Sequence, residues 1–250
     1  MAGRGRQPLN PVTCTVCGGP PRQRCELSLH GEATCVDHVV LDRCVLCTRP
    51  RCDVHDPRWT AFGTRSVRCP TCARDAVETQ QHARRRIPLV RHQMAELGIR
   101  LRVPVMVTIT DPDAMAGPLA RADGVVFGLT HQRITVGGPT DVVGIQVAAG
   151  LTPTHFGATL AHELGHAWLA EQGATGLAPA VEEGMCQLFA GAWLKRQNTS
   201  LARALRAGLP NHPVPEYGLG YRAARSAVRR YGIGPVLTHV RDRGRLPAIG

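Results

Sequence analysis

Paired cysteine and histidine residues in the first 75 positions constrain the fold of this chain more than any other feature. Nine of the ten cysteines lie between Cys14 and Cys72, mostly in pairs two residues apart. This spacing suits tetrahedral zinc better than loop-closing disulfides, and it predicts a reducing, cytoplasmic environment. Few apolar runs accompany the pairs, so bound metal is expected to hold this region together. The metal-type pairs are Cys14/Cys17, Cys35/His38, Cys44/Cys47, Cys52/His55 and Cys69/Cys72.

Charge and hydropathy narrow the classes of protein that fit. The formal net charge of +11 suggests a nucleic-acid partner. However, 14 of the 30 basic and 8 of the 19 acidic residues precede Pro88, so neither part of the chain is a concentrated basic patch. No apolar stretch reaches the roughly 20 residues that a membrane span needs. Nucleic acid is therefore not the expected partner, and neither secretion nor membrane anchoring is expected.

Hydrophobic periodicity divides the remaining chain into strands followed by helices. A helix, kinked or divided at Pro88, is predicted at 74–98. Strands are predicted at 101–110 and within the segments GVVFGLT, RITVGG and VVGIQVAAG. Helices are predicted near 153–172, 179–197, 217–231 and 234–243. This order indicates an α+β fold in two parts, at 1–75 and 76–250.

The segment AHELGHAWLAEQG at 161–173 holds a His-Glu-x-x-His motif. His162 and His166 are four residues apart and stack on one helix face, so both imidazoles can reach one zinc ion. Glu163 lies one step round the helix, where its carboxylate can deprotonate the attacking water and pass the proton to the leaving amine. The alternative is an ordinary amphipathic helix with two solvated histidines.

A catalytic zinc site with two histidines needs a third protein ligand, often a Glu on the next helix. Glu182 and Glu183 in APAVEEGMCQLFAGAWL are the candidates. We favour Glu183, because a Glu immediately before Gly at the start of such a helix resembles the arrangement in other zinc peptidases. Glu182 is then expected to orient a ligand histidine or face water. Both could instead be solvated charges at a helix N-terminus.

This two-helix segment resembles a known family. The match takes in Ala161, the His-Ala-Trp of 166–168, the Val-Glu-Glu-Gly of 181–184, and Cys186 with Gln187. These residues resemble the catalytic segment of plant LIM-domain peptidases that limit organ growth, the DA-one-like zinc peptidases. The strand VPVMVTI and the ending PEYGLGYRAARSAVRRYGIGPVLTHVRDRGRLP are also similar to the family, so the likeness covers most of residues 14–247.

The resemblance implies a zinc-dependent endopeptidase that acts on protein or peptide substrates. It implies a LIM-like, treble-clef zinc module at 1–75, which would recognise a protein partner or substrate, and a gluzincin-like metallopeptidase domain at 76–250. The plant proteins carry ubiquitin-interacting motifs ahead of the LIM module. Only 13 residues precede Cys14 here, so ubiquitin-dependent activation is not expected. The short length and the predominance of arginine among the basic residues indicate a bacterial member.

Two ligand pairings fit the N-terminal cysteines. A LIM-like pairing places Cys14, Cys17, Cys35 and His38 in one site and Cys44, Cys47, Cys69 and Cys72 in another. Cys52 and His55 are then a surface pair. A cross-braced pairing gives Cys35, His38, Cys52 and His55 one metal, with a third site formed by Cys14, Cys17, Cys25 and the further candidate His30. The four-cysteine site is common to both.

The expected reaction is metal-assisted hydrolysis of a peptide bond, with one catalytic and two or three structural zinc ions. The substrate is expected to pair along an edge strand formed by VVGIQVAAG. A donor to the developing oxyanion is also needed. The candidates are Tyr217, Tyr221, His212 and His239.

Two other classes of function remain open. One is a zinc-finger adaptor or regulatory protein whose His-Glu-x-x-His helix is catalytically silent. The other is a nucleic-acid-binding protein that uses the Arg-rich zinc module, with an affinity that falls steeply with salt. The two-helix ligand set argues against both, because a pure binding module does not need it.

Overall fold

The computed structural model describes residues 13–22, 24–52, 58–115, 125–134 and 140–248. Its first part consists of three small antiparallel hairpins followed by a single helical turn, α1 (Pro70–Ala73). Cys44 and Cys47 lie in the loop of the second hairpin, and Cys69 caps the helical turn that contains Cys72. The hairpin strands are β1 (Cys25–Leu27) with β2 (Ala33–Cys35), β3 (Asp42–Arg43) with β4 (Pro50–Arg51), and β5 (Thr60–Phe62) with β6 (Ser66–Arg68).

The next element is a long helix, α2 (Gln80–Glu96), which runs through Pro88 as one helix. The predicted helix start at position 74 is wrong. The helix begins only after Thr79, whose side chain accepts a hydrogen bond from the backbone N–H of His82. The predicted stop is confirmed, because Gly98 has a φ of +87°, a conformation that favours glycine.

A three-stranded sheet follows, with the strand order β7 (Val107–Thr110), β9 (Thr140–Ala148), β8 (Gly128–Ile134). A short helix, α3 (Pro112–Met115), follows β7. Strand β9 pairs in parallel with β7 and antiparallel with β8. The VVGIQVAAG segment is thus central, so its prediction as an edge strand is wrong. Its residues 145–147 are paired on both sides, so they offer no free edge to a substrate.

The remaining elements are helices, and the four predicted ones are confirmed to within two residues. Proline opens three of them at the first helical position, where its missing N–H costs nothing. A short helix at Ser200–Gly208 was not predicted. No helix in the described residues is long and apolar enough to cross a membrane. The helices are α4 (Pro153–Glu171), α5 (Pro179–Arg196), α6 (Ser200–Gly208), α7 (Pro215–Tyr231) and α8 (Ile233–Arg243), with a 3-10 turn at Leu209–Asn211.

The buried core of the described residues crosses the predicted domain boundary at position 75. The Arg68 guanidinium donates hydrogen bonds of 2.7 Å to the Gly150 carbonyl and to the Glu78 carboxylate. The backbone N–H of Val77 donates to the Leu151 carbonyl at 2.8 Å. The core includes Cys44, Cys47, Cys69 and Cys72 together with α4 and α5 side chains. The four-cysteine region and the helical region therefore pack as one body, while the division at 75 stays a sequence prediction.

Helices α5 and α7 cross at Gly184 and Gly220, where the two backbones leave no room for a side chain. An ideal Cβ at Gly184 would lie 2.4 Å from the backbone carbonyl carbon of Gly220. We expect Gly184→Ala to lower the free energy of unfolding by about 1–3 kcal/mol through overpacking, measured by thermal unfolding. The control is Gly208→Ala in α6, where a Cβ would meet nothing within 4 Å. An equal loss of stability in both variants would contradict the close-crossing explanation.

Candidate metal centres and active site

Helices α4 and α5 bring together the three side chains predicted to bind a catalytic metal. Nε2 of His162 lies 3.2 Å from Nε2 of His166. Glu183 Oε2 lies 3.1 Å from the first of these atoms and 3.7 Å from the second. The three ligand atoms thus form one compact triangle at the helix–helix interface.

The triangle has the dimensions and chemistry of a zinc site. Ligand bonds of about 2.0–2.1 Å in tetrahedral geometry keep the ligand atoms roughly 3.3 Å apart. Glu183 Oε2 is buried and has no hydrogen-bond partner among the described residues, as expected of an atom that faces a cation. Although burial raises it, the neighbouring imidazoles of His162 and His166 lower the pKa of Glu183 to about 2. The donor set therefore fits a divalent metal with an open fourth position.

The second glutamate supports a histidine ligand. Glu182 Oε1 lies 2.9 Å from Nδ1 of His166, which directs Nε2 of that ring toward the triangle. Cys186, one turn further along α5, is buried against the same imidazole, and burial raises the pKa of its thiol to about 11. Glu183 thus faces the cation site, whereas Glu182 orients His166 from outside it.

Glu163 lies beside this triangle and is held by strand β8. Its side chain is 6% exposed. The Thr130 hydroxyl donates to Glu163 Oε2 at 2.6 Å. The strand approaches closely, because an ideal Cβ at Gly128 would lie 2.5 Å from Glu163 Oε1. The carboxylate is therefore fixed between the edge strand and the candidate metal ligands.

A cleft of roughly 380 Å³ opens onto these residues. It is lined by Gly128, Leu129, Thr130, Gln132, His162, Glu163, His166, Glu182, Glu183 and Tyr217. A cleft of this size, with convergent charged groups and an exposed backbone strand on one wall, can hold a short stretch of extended peptide. The arrangement can bind a metal, activate water and pair with a substrate backbone.

The four candidate oxyanion donors differ in their position relative to the cleft. The Tyr217 ring stacks on His162 with 5.9 Å between ring centroids, and His212 lies 4.9 Å from the Tyr217 ring. Tyr221 is instead buried between α5 and α7 near Gly191. His239 lies on α8 and does not line the cleft. Only Tyr217 among the four is part of the described cleft wall, with His212 beside it.

The first structural site brings together Cys14, Cys17, Cys35 and His38, with all ligand atoms within 4.8 Å of one another. Cys14 Sγ lies 3.3 Å from His38 Nε2. Although burial raises it, backbone hydrogen bonds at Cys17, Cys35 and Val16 lower the pKa of Cys14 to about 6. This residue can therefore supply a thiolate at neutral pH, the form that binds zinc.

The second structural site brings together Cys44, Cys47, Cys69 and Cys72, all of them buried. Cys47 Sγ and Cys69 Sγ lie 3.6 Å apart, close to the roughly 3.8 Å expected for two thiolates on one tetrahedral zinc. Hydrogen bonds from the other three thiols lower the pKa of Cys44 below its usual range. The geometry is that of the LIM-like pairing.

The additional ligands of the cross-braced pairing do not gather in the described residues. Cys25 is exposed and lies opposite Cys35 in the β1–β2 register. His30 Nε2 lies 3.3 Å from Cys72 Sγ, beside the four-cysteine site, so it does not join Cys14 and Cys17. Cys52 is half-buried, and His55 lies outside the described residues.

The four-cysteine site contacts the first turn of α4. His155 is hydrogen-bonded to the backbone at Leu46, between the ligands Cys44 and Cys47, and its Nδ1 lies 2.8 Å from the Thr152 hydroxyl. Burial lowers the pKa of His155 to about 4, so this imidazole is neutral. The Phe127 ring, which precedes β8, lies edge-on to both Phe62 and His155. The four-cysteine site thus contacts α4 through His155, and β5 contacts the residue before β8 through Phe62.

Sequence reasoning missed several residues that shape the site. Gly128 and Thr130 lie in GVVFGLT, a segment for which the sequence predicts a strand but no role in the site. Glycine inside a strand often marks a close backbone approach. The position of Gly128 within a predicted strand could therefore have indicated that another element packs closely against it. The contact of Thr130 with Glu163 depends on the register of β8 against α4, which no local pattern encodes. His155 offered no signal beyond its place in the first turn of α4.

One known protein family matches the segment of the chain that holds the candidate site. The family model described as "DA1-like: Protein DA1" matches residues 74–212, which is more than half of the chain. The chain belongs to the DA1-like family. No solved structure matches it.

Curated relatives come from plants. Protein DA1 of Arabidopsis thaliana is 31% identical over 135 residues, covering 43% of this chain and 25% of that protein. Protein DA1-related 2 of the same plant is 32% identical over 141 residues, covering 43% of this chain and 27% of that protein. LIM domain-containing protein HDR3 of Oryza sativa subsp. japonica is 30% identical over 143 residues, covering 43% and 28%. The aligned segment therefore spans about a quarter of these relatives.

Proposed function

We propose that this chain is a zinc-dependent peptidase that hydrolyses peptide bonds in protein or peptide substrates. The observation that carries the proposal is the triangle of His162, His166 and Glu183 with the buried Glu163 carboxylate beside it. A structural zinc site would close its fourth position with another ligand. Here the fourth side faces a cleft, which is the arrangement that hydrolysis requires.

The triangle and the two other glutamates of the site have different tasks. His162, His166 and Glu183 would hold the metal, and Glu182 would fix the ring of His166. When bound, zinc polarises the substrate carbonyl and acidifies water. Glu163 takes a proton from the attacking water and donates it to the departing amine. The burial of Glu163 keeps bulk water from competing for that proton.

Tyr217 is the residue we assign to the oxyanion. It lies at the start of α7 and stacks over His162 on the cleft wall. A phenol hydroxyl near the metal can donate to the carbonyl oxygen as negative charge develops. The close α5–α7 crossing at Gly184 and Gly220 supports this placement, because Gly184 directly follows the ligand Glu183.

The substrate backbone is proposed to pair with β8. Within the described sheet, β8 pairs with β9 on one side, and its residues Gly128, Leu129, Thr130 and Gln132 line the cleft. An extended peptide could add to the other side of the strand through backbone hydrogen bonds. This places the scissile bond beside Glu163 without a dedicated side-chain pocket.

The N-terminal zinc sites are proposed to form a LIM-like module that recognises a protein partner or substrate. Support comes from the two four-ligand clusters and from the relative named as a LIM domain-containing protein. The four-cysteine cluster also packs against α4, so it would serve the peptidase part structurally as well.

The test is zinc content measured together with cleavage of a mixed peptide library. We expect three zinc ions per wild-type chain, one for each ligand group, and two in His162→Ala, with cleavage lost in the variant. His92→Ala, an exposed histidine on α2, serves as the control. Equal zinc content in wild type and His162→Ala, with no cleavage by either, would support the adaptor interpretation instead.

A further inference from the structure

One hydrogen bond links the edge strand directly to the base of the proposed reaction. Thr130 Oγ1 lies 2.6 Å from Glu163 Oε2 and 3.1 Å from the Glu163 backbone carbonyl oxygen. A hydroxyl–carboxylate distance of about 2.5–2.7 Å is typical of a charge-assisted bond. The Thr130 hydroxyl therefore donates its hydrogen bond mainly to the carboxylate, and the carbonyl oxygen is a weaker second acceptor.

The carboxylate needs such an anchor. The terminal torsion of a glutamate side chain is broad, so packing alone defines it poorly. Glu163 is 6% exposed, and Gly128 on the same strand face limits the space on the Oε1 side. Positions 128 and 130 point to one face because side chains alternate along a strand. Two residues of β8 thus fix both oxygens of this carboxylate.

From this geometry we infer that Thr130 is a positioning residue for Glu163, an inference that rests on the proposed peptidase function. The Thr130 hydroxyl donates a hydrogen bond to Oε2 of Glu163. The other oxygen, Oε1, is then the one that accepts and returns the proton. Because Thr130 also belongs to the strand proposed to pair with substrate, the same element aligns the scissile bond and the base. Thr130 holds Glu163 and does not itself exchange a proton with substrate.

The test compares three threonine variants of the zinc-loaded full chain. Thr130→Val keeps the β-branched shape but removes the hydroxyl, and Thr130→Ser keeps the hydroxyl. Since hydrogen bonds to charged groups are the stronger ones, we expect Thr130→Val to lower kcat by about 10- to 100-fold with KM changed less than about threefold. Thr130→Ser is expected to recover most of the loss. Thr108→Val on β7, whose hydroxyl donates to the Ile145 carbonyl at 3.3 Å, is the matched control with unchanged kcat.

Four further measurements separate positioning from a general structural effect. Zinc content and the thermal unfolding midpoint of Thr130→Val are expected to match those of Thr108→Val. A crystal structure of Thr130→Val is expected to show the Glu163 carboxylate rotated from its wild-type orientation. In the Glu163→Gln background, Thr130→Val is expected to cause no further loss of kcat.

The outcomes are distinguishable from failure of the proposed function. If wild type cleaves peptides and Thr130→Val cleaves equally well, the role of Thr130 is overturned while the peptidase proposal stands. An equal loss in Thr130→Ser, or a loss that follows a fall in zinc content or unfolding midpoint, also overturns it. Absence of cleavage by the wild type, with all three zinc sites filled, overturns the proposed function and this inference together.

Discussion

Replacing Glu163 by glutamine is expected to lower kcat by about 10²- to 10⁴-fold, the range that a positioned general base contributes. The amide has nearly the shape of the carboxylate and can still accept the Thr130 hydroxyl, so the fold and the three metal ligands are expected to stay in place. It cannot take a proton from water at neutral pH. The measurements are zinc per chain and the rate of peptide cleavage, compared with wild type.

The matched control is Glu96→Gln on α2, an exposed glutamate that pairs with Arg196 and His92. It makes the same chemical change outside the cleft and is expected to retain wild-type kcat. Full activity in Glu163→Gln would remove Glu163 from the reaction. Loss of zinc from that variant would instead mean that Glu163 is a ligand, contrary to the distances in the triangle.

Replacing Cys69 by serine is expected to unfold the protein well beyond the zinc module. Cys69 is fully buried and its site belongs to the core that includes α4 and α5. Structural zinc contributes about 10–16 kcal/mol in zinc-finger peptides, as much as the whole stability of a typical domain, about 5–15 kcal/mol. We expect most of the helical circular-dichroism signal to be lost at 25 °C, together with cooperative thermal unfolding.

The comparison variant is Cys17→Ser in the first structural site. Cys17 is exposed, and its site lies outside the continuous core. This variant is expected to lose one zinc ion and to keep the helical signal and the cooperative transition. A cooperative, helix-rich Cys69→Ser protein would show that the helical region folds without the four-cysteine site.

Local chemistry in the sequence was sufficient to predict helices α4 and α5, which carry the three candidate ligands of the catalytic metal. Thr152 followed by Pro153 starts α4, and Pro179 starts α5, so the first residue of each helix follows from capping rules. The i, i+4 spacing then places His162 and His166 together on one face. The grouping of Glu183 with these histidines required helix packing, but the resemblance to other zinc peptidases anticipated it.

The order of the strands could not be predicted in the same way. The predicted strand at 101–110 is observed only from Val107, because the N–H groups of Arg102 and Val103 donate to the Glu171 carboxylate on α4. No strand pairing is left for those two residues. Strand β9 is central because it pairs with the preceding strand β8 and also with β7, about 40 residues earlier in the chain, a property that alternation does not encode. Helix α6 was missed despite Thr199 as its N-cap and Leu201 and Leu205 at helical spacing.

The bond between Arg68 and the Gly150 carbonyl also bears on synthesis of the chain at the ribosome. The two residues are 82 positions apart, so the four-cysteine loop emerges from the exit tunnel long before its partner surface. At about 5–20 residues per second, the gap lasts several seconds. During that interval the region has only its own hairpin hydrogen bonds and any zinc that the four cysteines hold, and Phe62 and Val77 lack their later neighbours Phe127 and Leu151. Zinc supply during translation should therefore govern the yield of folded protein more strongly than zinc added after synthesis.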